Sequence, residues 1–354
     1  MLLDFRLQLR LPRIVFGAGT LEQVRAEVER LGARRALVLS TPGQAGLAAR
    51  VAELLGDLAV GRFAEAAMHV PVEGAKAAAA QARSLGADIA VAIGGGSTTG
   101  LGKALALDPG LPAIAVPTTY AGSEMTTMWG LTEGGAKRTG RDPKVMPRTV
   151  IYDPTLSLGL PFATTVVSAV NAIAHAAEGL YAPDRNPVVD LLAEEGIRRS
   201  AAALPILQGD PRDLAARGEA LLGACLCGAV MGAITVGLHH KLCHTLGGSF
   251  GLPHAELHTV MLPQALAYNA PAVPEAMARI AAALGVSTSA PAGLFDLAMR
   301  HGAATSLAAI GMNEADLDRA AELATQTPYP NPRPLERAAI RELLQRAFEG
   351  ERPA

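Results

Sequence analysis

The first half of the chain alternates short apolar runs with segments of helical periodicity. Helical spacing occurs in TLEQVRAEVERLG, GLAARVAELLG and EGAKAAAAQARSLG, and short apolar runs occur in RALVLS, VGRF, DIAVAIGGG and AIAVPTT. Strands that alternate with helices are joined by right-handed crossovers, which place the strands parallel to one another. This half is therefore predicted to be a Rossmann-like α/β domain with a mostly parallel sheet.

The strand rhythm disappears near Pro161, where long segments rich in Ala, Leu and Gly begin at helical spacing. The rest of the chain is therefore predicted to be all-α. Single hydrophobic cores seldom grow beyond roughly 300 residues, and the chain has 354. We expect two domains, residues 1–160 and residues 161–354.

Two segments allow more than one structure. RLQLRL, residues 6–11, alternates polar and apolar side chains as a half-buried strand does, and it could also pair with a second subunit to form a homodimer. LLGACLCGAVMGAITVGL, residues 221–238, carries no charge over a length that could cross a bilayer. Its many Gly and Ala and the absence of basic flanks favour a buried central helix.

Composition narrows the classes of partner. Half of the residues are hydrophobic and the formal net charge is −2, so there is no basic field for nucleic acid or an anionic membrane, and a small-molecule partner is favoured. Three cysteines without paired spacing, and a start that has no apolar signal-peptide core, predict a reducing cytoplasm.

A glycine turn follows the strand DIAVAI and leads into a helix. Glycines let the backbone approach a diphosphate closely, and the N-terminus of the following helix attracts the anion. The candidate phosphate site consists of Gly94, Gly95, Gly96, Ser97 and Thr98. An ordinary glycine-rich turn is the alternative, because the segment lacks the last glycine of the complete dinucleotide fingerprint.

The next strand ends in hydroxyl-bearing residues. Thr118, Thr119, Ser123 and Thr127 follow it, where open α/β sheets place ligands, although such residues also serve as caps and turns. Two polar loops at adjacent strand ends favour a nucleotide crevice. An earlier strand ends at Ser40 without an acidic side chain to repel a 2′-phosphate, so both NADH and NADPH are expected to bind.

Five of the eight histidines lie between residues 237 and 258. Asn171 and His175 are four residues apart, as are His240 and His244, and His254 follows a loop. Each pair lies on one face of a helix. These side chains could hold a divalent metal or supply imidazoles for proton transfer.

The chain resembles the maleylacetate reductase branch of the iron-containing alcohol dehydrogenase family. The resemblance rests on GGGSTTGLGKALAL, PTTYAGSEMTTMWGLTEGGAKRTGRDPKVMPRTVIYDP, NAIAHAAEGLYA and the histidine-rich stretch from Gly237 to His258. It implies the predicted two-domain fold, a dimer joined partly through N-terminal strands, and NADH- or NADPH-dependent reduction of maleylacetate to 3-oxoadipate in aromatic-compound degradation.

The resemblance also assigns residues. It places the cofactor diphosphate at Gly95, Gly96 and Ser97, the ribose and nicotinamide near Thr118, Thr119, Ser123 and Thr127, and Lys137 near the cofactor. The metal of related alcohol dehydrogenases, held by an aspartate and three histidines, corresponds to Asn171, His175, His240 and His254. Because asparagine removes the only charged ligand, the expectation is that no metal is required and that these positions are vestigial.

The implied reaction needs a group to stabilise an enolate oxygen and a group to deliver a proton. We expect His240, His244 and His254 to perform these two tasks, with His175 beside them. Lys241 is expected to bind a substrate carboxylate unless it is a solvated surface lysine.

Two alternatives remain, a metal-dependent alcohol dehydrogenase and a non-catalytic nucleotide-binding protein. Gln264 stands where many relatives have histidine, and we assign it no role.

Overall fold

The computed structural model describes residues 5–134 and 136–354, without the side chains of residues 136 and 137. The chain forms two compact units. One consists of Leu9–Leu160 together with Arg212–Leu221, and the other contains Pro161–Pro211 and Leu222–Ala354. The first is α/β and the second is helical, so the predicted fold class is confirmed.

A six-stranded parallel sheet forms the centre of the α/β unit. Its strands are β1 (Arg13–Phe16), β2 (Ala36–Leu39), β3 (Ala59–Phe63), β4 (Ile89–Gly94), β5 (Ala113–Pro117) and β8 (Thr149–Tyr152). They lie in the order β1-β8-β5-β4-β2-β3. β4 and β5 pair from Ala90 with Ala113 to Gly94 with Pro117. The residues that follow these two strands therefore begin at the same sheet edge.

Helices cover both faces of this sheet, which is why its inner strands are continuous apolar runs. They are α1 (Val24–Arg30), α2 (Ala45–Leu55), α3 (Val72–Ser84) and α4 (Gly96–Leu107). The buried Arg217, from Arg212–Leu221, also belongs to this unit and donates hydrogen bonds to the hydroxyl of Tyr120 at 3.0 Å and the carbonyl of Leu160 at 2.9 Å.

An antiparallel hairpin, β6 (Met128–Glu133) with β7 (Ala136–Arg141), was not predicted. Trp129 packs closely on Gly140 of the partner strand, where a Cβ atom would lie 2.7 Å from the indole ring. The hairpin interrupts the strand-helix rhythm, and its sequence has few long apolar side chains. Because of these two features, hydrophobic periodicity alone does not predict the hairpin.

The prediction of a strand over residues 6–11 is wrong for the single chain, in which these residues have no regular secondary structure. A period of two gives a segment two different faces, but a strand also needs a neighbouring backbone to accept its hydrogen bonds. Pairing of this segment with a second subunit stays a prediction.

The second unit packs helices around apolar cores, and one cluster of buried side chains comes mainly from the helices at residues 238–250, 254–269, 317–325 and 337–349. The helices of the second half are α5 (Phe162–Gly179), α6 (Pro187–Gly209), α7 (Leu214–Ala233), α8 (Leu238–Phe250), α9 (His254–Asn269), α10 (Pro274–Leu284), α11 (Ala290–Arg300), α12 (Leu317–Thr325) and α13 (Arg337–Glu349).

Close contact of α6 with α7 depends on glycine. A Cβ atom on Gly223 would lie 2.9 Å from the backbone nitrogen of Ser200.

α7 is also long and apolar enough to cross a membrane, but 67% of its most apolar window is buried inside the structure. Buried core helices pass the same test of length and composition, so this helix is weak evidence for a span. It ends at Ala233, earlier than the uncharged sequence suggested.

Candidate functional site

The glycine turn connects the end of β4 to the start of α4. Gly94 has φ 151°, and a Cβ atom there would lie 2.4 Å from Oγ1 of Thr98, so a larger residue would strain the turn. The carbonyl of Gly94 accepts a hydrogen bond from the backbone N–H of Thr118 at 3.0 Å. The structure thus brings the two predicted polar loops together at one sheet edge.

Space remains beside the second half of the turn. A Cβ atom on Gly96 would meet only the methyl group of Ala121, at 3.9 Å, whereas one on Gly95 would lie 3.1 Å from Thr119. α4 begins at Gly96, and the first N–H groups of a helix have no partner within it. This end of α4 is suited to bind an anion.

Gln44 was missed by the sequence analysis and lies between the loops. Its Nε2 donates to the hydroxyl of Thr118 at 2.7 Å, and its Oε1 accepts from the hydroxyl of Thr41 at 3.2 Å. The side chain joins the loop after β2 to the loop after β5. The sequence signal that could have identified Gln44 is its position shortly after Ser40 and Thr41, which follow the strand RALVL.

Other predicted cofactor residues differ in exposure. The hydroxyls of Ser40 and Thr98 are buried without a hydrogen-bond partner among the described residues. Ser123 and Thr127 are partly exposed, and the carbonyl of Thr127 accepts from the N–H of Asp142 at the base of the hairpin. Lys137 lies in β7, but its side chain falls outside the described residues.

Helices α5, α8 and α9 bring six histidines together. The ring centroids of His175 and His240 are 5.2 Å apart, and those of His240 and His258 are 5.3 Å apart. His239 contacts His258 through its Nε2, 3.0 Å from Nδ1 of His258. The ring centroids of His240 and His244 are 6.2 Å apart, and those of His254 and His258 are 4.3 Å apart. No role was predicted for His239 and His258, although His258 stands four residues after His254.

Glu178 is the carboxylate of this cluster and was also missed. It is 1% exposed and accepts hydrogen bonds from the N–H groups of Gly237 and His239 at 2.9 and 2.8 Å. Its Oε2 lies 2.7 Å from Nδ1 of His240. Burial alone would raise the pKa of Glu178, but His240 and the other partners lower it to about 2. An ionised carboxylate at this distance requires the proton of His240 on Nδ1 when that ring is neutral.

The deeper imidazoles are neutral. Burial, and then the neighbouring histidines, hold the pKa values of His175 and His258 well below the usual range, and burial lowers that of His239 to about 3. Neutral rings keep a nitrogen lone pair. His244, His254 and Lys241 are less buried, and Nζ of Lys241 lies 5.8 Å from the ring centroid of Tyr329.

The donor atoms of this cluster are chemically suited to a transition metal. Nε2 of His240, Nδ1 of His175 and Oδ1 of Asn171 are buried and have no hydrogen-bond partner among the described residues. A second group, His239, Cys243 and His258, has ligand atoms within 4.8 Å of one another, and their proximity is already explained by the His239–His258 contact. We favour the first group because its donor atoms are unpaired, and imidazole suits iron.

Comparison with known proteins identifies the family. The model "Iron-containing alcohol dehydrogenase" matches residues 12–154, and the model "Fe-containing alcohol dehydrogenase family, C-terminal" matches residues 165–348. A maleylacetate reductase of Burkholderia cepacia is 63% identical over 99% of both chains, and that of Sphingobium indicum is 57% identical over 96% of both. The crystal structure of maleylacetate reductase from Agrobacterium tumefaciens is 55% identical, covers 99% of this chain and 100% of its own, and has a TM-score of 0.95.

These matches correct the expectation about metal. A family described as iron-containing implies bound iron, which contradicts the expectation that no metal is required. Asn171 lacks the charge of an aspartate ligand, but the unpaired nitrogens of His175 and His240 are donors in their own right. With both of its halves matched, the chain belongs to the iron-containing alcohol dehydrogenase family.

Proposed function

We propose that this protein is a reductase that uses NADH or NADPH to convert maleylacetate into 3-oxoadipate. The observation that carries the proposal is similarity over nearly the whole chain to enzymes named maleylacetate reductase. The site agrees with it, because a polar loop pair suited to a dinucleotide and a cluster of buried imidazoles supply the two parts that such a reaction needs.

The dinucleotide is proposed to bind at the glycine turn. Its diphosphate lies against Gly95, Gly96 and Ser97, where helix α4 begins. The two glycines have no side chain that would occupy the space of the diphosphate. Thr118, Thr119, Ser123 and Thr127 serve the ribose and nicotinamide. Lys137 is included from the family resemblance alone, because its side chain lies outside the described residues. The remaining members of the proposed cofactor set are Ser40, Gly94 and Thr98.

The chemistry follows from the conjugation of the substrate. A bound nicotinamide would supply hydride to the alkene carbon β to the ketone, and the π electrons of the alkene would move to the ketone oxygen. The enolate then takes a proton at the α-carbon, which completes 3-oxoadipate and leaves oxidised cofactor. The oxygen needs a positive or hydrogen-bonding partner, and the α-carbon needs an acid.

Histidines are proposed for both tasks. Glu178 holds His240 through Nδ1, so that ring cannot turn and its Nε2 has a fixed direction. His244, which is less buried and is not among the metal-ligand positions, is the candidate proton donor, with His254 in that role only when no metal is bound, and His175 packs against His240. When bound, iron would act as a Lewis acid toward the ketone oxygen of the substrate. Its ligands would be His175, His240, His254 and the amide oxygen of Asn171.

Further parts of the proposal rest on family resemblance. Lys241 binds one of the two substrate carboxylates, and its position over Tyr329 limits its freedom. The enzyme works as a homodimer in the cytoplasm, in the degradation of aromatic compounds. No role is proposed for nucleic acid or membrane.

A single experiment tests the reaction. Purified protein is mixed with maleylacetate and nicotinamide-deuterated NADH, and the product is analysed by NMR and mass spectrometry. We expect 3-oxoadipate with deuterium on the carbon β to the ketone. A hydroxy acid with deuterium on the former carbonyl carbon would instead establish an alcohol dehydrogenase, and the absence of NADH consumption would support a non-catalytic protein.

A further inference from the structure

Lys103 is an almost fully buried lysine whose ammonium group is surrounded by oxygen. It lies on α4 and is 2% exposed. Its Nζ donates to the backbone carbonyls of Ser123 and Met128, both at 2.6 Å, and of Thr126 at 2.9 Å. The hydroxyls of Thr126 and Ser123 lie 3.0 and 3.3 Å from the same atom. Five oxygen atoms therefore share three N–H groups.

The oxygen atoms of this cage favour a positive charge on Nζ, whereas burial of the side chain disfavours it. Burial is the larger effect on the pKa of Lys103 and lowers it to about 7, while the buried Glu124 raises it. Three carbonyl dipoles converge on Nζ, in the way that carbonyl oxygens replace the water around a monovalent cation. Hydrogen bonds to a charged group are stronger than those between neutral groups.

All five oxygens belong to one short segment, Ser123–Met128, which we call the clamped loop. It connects the residues after β5 to the hairpin, and it includes Ser123 and Thr127 of the proposed cofactor site. Glu124, within the loop, accepts a hydrogen bond from the hydroxyl of Tyr152 at 2.8 Å. The loop is therefore held from its buried side by α4 and by β8.

The same helix serves both ends of the proposed dinucleotide site. α4 begins at Gly96 in the glycine turn, and Lys103 follows two helical turns later. A rigid helix thus fixes the distance between the turn that would bind the diphosphate and the loop that would face the nicotinamide. The clamped loop has few apolar side chains of its own with which to hold that position.

We propose that Lys103 is a positioning residue that shapes the clamped loop for cofactor binding by acting as a tethered cation in an oxygen cage, without touching the cofactor. The proposal rests on the proposed use of a dinucleotide. It differs from a packing role, because a side chain of equal size without charge or N–H groups would not replace it.

The test compares Lys103→Met and Lys103→Ala with the control Lys76→Met, which changes an exposed lysine on α3. Binding of NADH is measured by fluorescence titration, and folding by circular dichroism. The emission of Trp129, the single tryptophan of the chain, reports on the residue next to the clamped loop. We expect Lys103→Met to raise the Kd for NADH at least about tenfold and to shift Trp129 emission, and Lys76→Met to change neither.

Chemical rescue separates the cation from packing. Propylammonium added to Lys103→Ala should restore at least half of the lost affinity and the emission of Trp129, because it can donate into the cage. Tetramethylammonium, which has charge but no N–H, should not. Equal effects of the two ions, or an unchanged Kd in folded Lys103→Met, would overturn the proposal.

Two further measurements test the role of Lys103 if its variants do not fold or if the unaltered protein does not bind NADH. If the Lys103 variants do not fold, Thr126→Val removes one cage hydroxyl, and it should raise the Kd several-fold; an unchanged Kd contradicts the proposal. If the unaltered protein does not bind NADH, the proposed function fails. Amide hydrogen exchange over residues 123–128 still tests the clamp in that case, and exchange that is no faster in Lys103→Met would overturn it.

Discussion

Nδ1 of His240 lies 2.7 Å from Oε2 of Glu178, and this contact determines which nitrogen of the ring carries a proton. The pKa of Glu178 is held low, so its carboxylate accepts from His240 and from two backbone N–H groups at once. When the ring is neutral, Nε2 of His240 carries a buried lone pair, the form in which an imidazole binds a metal or accepts a proton.

Replacing Glu178 with glutamine tests this arrangement. A glutamine side chain has one oxygen and cannot accept from all three donors, so His240 should lose its fixed tautomer. Turnover with maleylacetate is expected to fall roughly ten- to a hundredfold, with the Kd for NADH unchanged. Nitrogen NMR of labelled histidine would report the tautomer directly. Glu275→Gln, at an exposed position of α10, is the control, and a rate within about twofold of the natural enzyme would exclude the proposed role for Glu178.

Replacing Gly96 with valine tests the phosphate site. A Cβ atom there finds open space, so the variant should fold, while the added methyl groups occupy the space proposed for the diphosphate. We expect the Kd for NADH to rise by about a hundredfold, since each tenfold step is roughly 1.4 kcal/mol. Gly94→Ala is a poorer variant, because its Cβ would clash with Thr98 and Gln44. Unchanged affinity in folded Gly96→Val would remove this turn from the cofactor site.

Replacing Asn171 with aspartate tests the metal site. The protein is expected to take up ferrous ion under anaerobic dialysis, as its family implies, and the added carboxylate should raise the affinity at least about tenfold because it supplies a charged oxygen ligand. Metal content is measured by mass spectrometry, independently of activity. Asn313→Asp makes the same change at an exposed helix cap and should have no effect. Failure of both the natural protein and Asn171→Asp to bind iron would contradict the assignment of these donors.

Cofactor choice should be broad. The loop after β2 presents Thr41 and Gln44, and neither carries a charge that would repel a 2′-phosphate. Specificity constants for NADH and NADPH are therefore expected to differ by less than about a thousandfold. A larger ratio in steady-state assays would show that another residue discriminates between them. Titration of each cofactor would then show whether the discrimination arises in binding.

The parallel sheet could be predicted because each apolar run is short and is followed by helical periodicity. The hairpin from Met128 to Arg141 could not, since it buries little apolar surface and its register depends on tertiary contacts such as Trp129 on Gly140. The segment at residues 6–11 shows the opposite error. Its alternation is regular, yet it pairs with no other strand among the described residues of the single chain.

The candidate site was predicted in part. The i, i+4 spacing placed His240 and His244 on one face, and the structure brings them to His175 and His258. Glu178 was accessible to the same reasoning, because it follows His175 by three residues on α5. Lys103 was not, because a lysine within an apolar helix reveals its partners only when the loop from Ser123 to Met128 has folded around it.

The α/β unit is discontinuous in sequence, since Arg212–Leu221 joins it after a helical segment of about fifty residues has intervened. A gene fragment ending at Leu160 would therefore encode every strand of the sheet and still omit Arg217, the donor to Tyr120 and to Leu160 itself. Recombination that exchanges the first 160 residues between relatives would separate these partners as well. A chimera that keeps these hydrogen bonds therefore has to carry residues 212–221 along with the nucleotide-binding half.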